Sequence, residues 1–149
     1  MKHRIERISN TAIEHSSHGT FTSGDKNHNP RLLSGGHGEE NLQTLKKYGR
    51  DYNIVAKYPN GVRLGNIPSH KKPRNQKGEW QAWFPKSWTR KTIRKAGEKT
   101  INSIPYKLPD GYHMYGTYRK VKVGVIRTFG RVATIYPCHK QSGVKKYER

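Results

Sequence analysis

The stretch Ser34-Gly35-Gly36-His37-Gly38-Glu39-Glu40-Asn41-Leu42 sets a histidine in a glycine turn directly before a predicted helix. Glycines let the backbone take strained angles and let another group approach closely. Histidine takes up and releases protons near neutral pH. The free N–H groups of a helix start can hold a phosphate. A proton-transfer group beside such a site, in a very basic chain, points to work on nucleic acid. Taken alone, the segment reads as readily as a glycine helix cap with an incidental histidine.

Other residues have chemical potential at a distance. Glu14-His15-Ser16-Ser17-His18-Gly19 brings two histidines before this turn, and His28 lies in the loop between. No carboxylate or cysteine stands at a familiar ligand spacing, so these read as solvated loop histidines and no metal or cofactor is expected. In Val132-Ala133-Thr134-Ile135-Tyr136-Pro137, alternation puts Thr134 and Tyr136 on one face if Ile135 is core. Two hydroxyls then lie side by side, although both residue types are common in strands. The basic loop Pro68 to Gly78 holds Lys71, Lys72, Arg74 and Lys77, and Trp80, Trp83, Phe84 and Trp88 follow it. Cations interleaved with aromatics suit single-stranded RNA, whose bases stack and whose phosphates pair. Trp83 and Phe84 are assigned to the core, and Trp80 is left open to either role.

The elements that position these groups follow from periodicity and punctuation. Thr11 to Gly19 reads as a short helix, Thr20 to Ser34 as a loop, and Glu39 to Tyr48 as a helix with Leu42 and Leu45 on one face. Tyr52 to Tyr58 and Val62 to Ile67 read as a hairpin around Asn60-Gly61, the favoured pair for a type I′ turn. Thr89 caps a helix over Arg90 to Glu98, whose stripe of Arg90, Lys91, Arg94 and Lys95 faces solvent or phosphate. Three strands close the chain: Tyr112 to Tyr118, Val121 to Thr128 and Arg131 to Tyr136. Residues 1–10 read as a linker before a single domain over 11–149, and the tail from Cys138 reads as prone to fray. Segregated helices and antiparallel strands make an α+β fold, with N-terminal helices packed against an antiparallel sheet.

Composition narrows the partner. The 149 residues carry a formal net charge of +20 with only 31% hydrophobic residues, so the core is small and the partner is a polyanion. One cysteine excludes an internal disulfide. No apolar run reaches the length of a membrane span, and the basic N-terminus lacks the apolar region of an ordinary signal peptide. An anionic-membrane binder would need a basic helix with a large apolar face, which neither longer helix has. A non-catalytic RNA-binding protein of ribosomal type explains charge and aromatics equally well.

Glu14-His15-x-x-x-Gly19, Gly35-Gly36-His37 and Thr134-x-Tyr136-Pro137, in this order, resemble the EndoU endoribonucleases. Tyr58-Pro59-Asn60-Gly61-Val62-Arg63-Leu64-Gly65-Asn66 and Gln81-Ala82-Trp83-Phe84-Pro85-Lys86-Ser87-Trp88 resemble the bacterial toxin branch of that family. The likeness runs from Glu14 to Pro137. It implies an EndoU or barnase-like ribonuclease fold. It also implies metal-independent cleavage of RNA, by attack of a ribose 2′-OH on the adjacent phosphorus, to a 2′,3′-cyclic phosphate, with DNA bound but not cut. By resemblance His37 is the base and His15 the acid, with His18 competing for the latter role. Lys77 or Lys71 stabilises charge, and Thr134 and Tyr136 hold the nucleotide. Lys72, Arg74, Trp80, Arg90 and Arg94 are the expected RNA-binding residues. The resemblance further implies the toxic C-terminal end of a protein delivered from a bacterium and acting in a target-cell cytoplasm. Its substrate would be tRNA, and its partner an acidic immunity protein.

Overall fold

The computed structural model describes residues 5–141 and the backbone of 147–148. Residues 1–4 of the expected linker, and 142–146 and 149 of the expected fraying tail, lie outside the described residues. Helix α1 (Asn10–Ser17) starts at Ser9, whose hydroxyl accepts the Ala12 N–H at 3.1 Å. It leads into β1 (Thr20–Phe21), which pairs with β2 (Leu32–Ser34) inside the stretch expected to be loop. These strands are too short for alternation to register, and the turn-rich residues between them dominate the pattern.

Helix α2 (Glu39–Lys47) buries Leu42 and Leu45 against Leu32, Ile67 and Trp83, as its periodicity predicts. Then β3 (Asn53–Lys57), β4 (Arg63–Asn66) and β5 (Gln81–Trp83) form an antiparallel sheet in that order. The third strand was hidden in the tryptophan-rich run. The turn between β3 and β4 is not the expected type I′. The Gly61 N–H donates to the Tyr58 carbonyl, and positive φ occurs at Gly61 and not at Asn60. The turn therefore spans residues 58–61, one residue earlier, with Pro59 and Asn60 central. Pro59, with φ fixed near −65°, suits the first central position, and Gly61 takes the positive φ that follows.

Helix α3 (Arg90–Ile101) is capped by Thr89, as expected, and runs one turn past Glu98. Strands β6 (His113–Tyr118), β7 (Val121–Thr128), β8 (Arg131–Pro137) and β9 (Tyr147–Glu148) make a third antiparallel sheet in the order β8-β7-β6-β9. Its inner face, with Val121, Val123, Val125 and Ile135, packs on Ile13 of α1 and on Ile93 and Ala96 of α3. Phe84 and Trp88, stacked at 5.0 Å, extend this core. Two chain ends join the domain. Ile8, within the expected linker, is buried, and Glu6 pairs with buried Arg127 at 2.6 Å. In the expected tail, Cys138 is buried and its N–H donates to the Lys122 carbonyl at 3.0 Å. Among the described residues no helix is long and apolar enough to cross a membrane.

Candidate active site

A helix end leaves carbonyls without partners inside the helix. Here the glycine turn supplies them. The N–H groups of Gly36, His37 and Gly38 donate to the carbonyls of His15, Ser16 and Ser17 at 3.0, 2.6 and 2.9 Å. This zipper lays the turn along the last turn of α1 and sets His37 beside His15. Gly35 is the point of closest approach. It has φ +71°, and a methyl group there would lie 2.2 Å from the His15 carbonyl oxygen and 3.0 Å from its ring. Buried Gln81 on β5 donates to the Gly36 carbonyl at 2.9 Å and holds the turn from the other side. The turn's amides are therefore not a phosphate cradle. The positive end of α2 is likewise occupied by Glu39, paired with Arg63, and Glu40, paired with Arg90, each at 2.7 Å.

The His37 Nδ1–H donates to the Ala82 carbonyl at 2.8 Å, which leaves Nε2 as the proton acceptor. Removal from water pushes the His37 pKa down to about 4, against the Ala82 hydrogen bond, which favours the protonated ring. Charge on His15, His139 or His70 lowers it further. His15 is also held below its ordinary value, first by burial and then by the positive charge of Lys72. Its Nδ1 lies 2.8 Å from the Thr20 hydroxyl. His18 points elsewhere. Its Nδ1 bonds the Gly19 carbonyl at 2.9 Å and its ring packs on Phe21. The structure brings His15, not His18, to His37.

Strand β8 is an edge of its sheet, so part of its backbone lacks a strand partner. Ser16 supplies one. Its buried hydroxyl accepts the Ile135 N–H at 2.9 Å and donates to the Ala12 carbonyl at 2.7 Å. An aliphatic residue could do neither. The bond ties the helix of His15 to the strand of Thr134 and Tyr136. Ile135 is fully buried, so Thr134 and Tyr136 share the opposite face, where alternation put them. The Tyr136 ring lies over Gly124, where a Cβ would fall 2.2 Å from the phenol carbon, and sits 6.3 Å from the His37 ring. Its hydroxyl is 2.5 Å from Nδ1 of His113. Sequence reasoning missed His113. Alternation puts it on the face of Tyr115, but only the register of β6, β7 and β8 brings it to Tyr136.

The basic loop folds around another missed residue, buried His70. Its Nδ1 accepts the Lys72 N–H at 2.9 Å, its carbonyl accepts from Gln76, and its pKa is lowered to about 4, chiefly by burial and then by Lys72 and Arg31. The Lys71 N–H donates to the Leu32 carbonyl at 2.9 Å, and Lys77 ends the 3-10 turn Pro73–Gln76. Of the loop lysines, Lys72 is the one whose charge acts on His15. Arg74 stacks on Trp80, 4.8 Å from the ring centre, and Trp80 is 50% exposed. Arg90 and Arg94, expected to meet phosphate, have internal partners. Arg90 grips both Glu40 oxygens, and Arg94 holds the Ile8 carbonyl and the Asn10 side chain. The reason is position: α3 begins beside the start of α2 and runs along the N-terminal segment.

Among the described residues no three His, Cys, Asp or Glu side chains gather as a metal-binding group. A family model described as bacterial EndoU nuclease matches residues 9–139. No curated protein and no solved structure matches the chain.

Proposed function

We propose that this chain, which belongs to the bacterial EndoU nucleases, is an endoribonuclease that cleaves RNA by 2′-OH transesterification. The observation that carries the reading is the docking of the glycine turn on α1. It holds His37, with Nδ1 bound to Ala82, beside the end of the helix of His15 and with its ring 6.3 Å from that of Tyr136, which supports a shared site. Nε2 of His37 takes the proton of the ribose 2′-OH. That oxygen bonds to phosphorus as the bond to the 5′ oxygen breaks, and protonated His15 supplies the departing oxygen with a proton. The products are a 2′,3′-cyclic phosphate and a 5′-hydroxyl. Lys77 or Lys71 of the basic loop stabilises the charge on phosphorus, and Lys72, whose charge lowers the His15 pKa, binds RNA beside them. Tyr136 stacks on or positions the nucleotide, and Thr134 bonds its base or phosphate. No step uses a metal, and DNA binds uncut because it lacks the 2′-OH.

The test is incubation of the protein with total RNA in excess chelator, followed by analysis of the new ends. Fragments with 2′,3′-cyclic phosphate ends support the reading. RNA left intact, or cleaved as well by His37→Ala, overturns it.

The family likeness and the charge extend the proposal to context. The domain acts as the toxic end of a delivered bacterial protein, cuts tRNA in the recipient's cytoplasm, and is neutralised by an acidic immunity protein that covers the basic surface. Expression of the domain alone in a bacterial cytoplasm should stop growth and leave tRNA cut at one loop. Growth at the normal rate with active enzyme present counts against the toxic role.

A further inference from the structure

Trp80 is half exposed, whereas Trp83 and Trp88 are buried. An exposed indole in a chain with so little apolar material calls for a role. This one is held in place. The Arg74 guanidinium lies over the ring at 4.8 Å, and the His139 ring meets its edge at 6.1 Å. Nε2–H of His139 donates to the Trp80 carbonyl at 2.7 Å. Asn75, between Arg74 and the strand, donates to the side chain of Gln81 at 3.0 Å. Each anchor fixes the ring while half of its surface stays open to solvent.

Position gives the ring its meaning. Trp80 is two residues before Ala82, whose carbonyl orients His37. Two residues of extended chain span about 6–7 Å, the scale of one nucleotide step in an extended single strand. His139 reaches both groups, since it touches Trp80 and its charge acts on His37. A rigid aromatic face beside a cation stacks any base and holds its phosphate without reading base edges.

We propose that Trp80, backed by Arg74 and edged by His139, is a stacking subsite for the unpaired nucleobase next to the cleaved nucleotide, with Arg74 on the phosphate between them. The proposal rests on the RNA-cleaving reading of the His15 and His37 site. It adds that the target must be single-stranded at two adjacent nucleotides and that this second position tolerates any base.

Tryptophan emission tests binding apart from cleavage. The wild-type protein is titrated with an end-labelled, fully 2′-O-methylated RNA tetramer, which cannot be cut. The expected result is saturable quenching of emission. Trp80→Ala should weaken binding read by label anisotropy. Trp80→Phe, which keeps a stacking ring without the fluorophore, should keep part of that affinity while the quenching is lost. A tetramer with one free 2′-OH fixes the cleavage position, and an abasic site is then placed on its 5′ or its 3′ side. One of the two should raise KM on the order of 10-fold or more, and Trp80→Ala should raise KM similarly with little change in kcat. Binding seen by label anisotropy without quenching, or unchanged KM in Trp80→Ala and with both abasic substrates, overturns the subsite while cleavage stands. Quenching without any cleavage supports the subsite as an RNA contact and overturns the catalytic reading alone.

Discussion

His37 has one ring nitrogen committed to Ala82 and one open, and that asymmetry sets its chemistry. With a pKa near 4 it is neutral, and so a competent base, across the physiological range. His15 must carry a proton to act as the acid, and its pKa also lies below the ordinary value. The free enzyme is active between the two. kcat/KM should rise as pH climbs through about 4 and fall along an alkaline limb whose midpoint lies below 6.5. A pH profile with its alkaline limb above 7.5 would remove His15 from the role of acid. His37→Ala and His15→Ala should each lose about 10²–10⁴-fold in kcat, while RNA affinity measured by filter binding changes little. Among the lysines, Lys77→Ala or Lys71→Ala should cost on the order of 10²-fold in kcat. Near-normal kcat in both, with that loss in Lys72→Ala, would move the cation.

At the scale of elements, the site depends on the joint between α1, the glycine turn and β8. Ser16→Ala leaves the Ile135 N–H buried without its partner and should cost about 1–3 kcal/mol, read as a drop in thermal midpoint. Activity should fall with it, since the same bond positions Tyr136. Ser16→Thr, which keeps the hydroxyl, should restore part of both. The loop around His70 gives a second expectation. The unfolded chain takes up the His70 proton near pH 6.5, the folded chain near 4, so acid favours unfolding. The stability contributed by neutral His70 is intact above pH 6.5 and falls as pH drops toward 4, by at most about 1.4 kcal/mol per pH unit. His37 acts in the same direction. His70→Asn, whose side-chain oxygen can accept the Lys72 N–H, should flatten this acid loss in denaturation curves taken between pH 7 and 4.

Over the whole molecule, charge is divided by residue type. Among the described residues the ion pairs use Arg7, Arg63, Arg90, Arg94, Arg127 and His28, and none uses a lysine. Arginine suits internal pairs because its fork meets a carboxylate at two points. The lysines are left for an outside polyanion. RNA binding should weaken steeply with salt, with a log–log slope of about −0.7 for each phosphate neutralised on a single strand. Replacing Lys71, Lys72 and Lys77 together should lower that slope, whereas Arg90→Gln should leave it nearly unchanged and destabilise the fold. A slope unaffected by the triple replacement would place the RNA elsewhere on the surface.

Local pattern alone determined the three helices, the final three strands and the burial of Trp83 and Phe84, and summed charge gave the expectation of a polyanionic partner. These depend on periodicity, capping and summed charge, which are properties of neighbouring residues. The order of Glu14-His15, Gly35-Gly36-His37 and Thr134-x-Tyr136 carried the family. What tertiary structure decided was pairing over long separations. His15 rather than His18 meets His37 because three α1 carbonyls accept three turn amides. Arg90 and Arg94 have partners within the chain because α2 and the N-terminal segment lie beside α3. His113 joins Tyr136 because the registers put Tyr136 opposite Gly124, whose missing side chain lets the phenol cross β7 to His113, two residues along β6 from Gly124's partner Tyr115. The glycines of the central turn, legible from the first as a sign of close approach, approach not a phosphate but the end of α1, since its unpaired carbonyls require donors and the turn provides them.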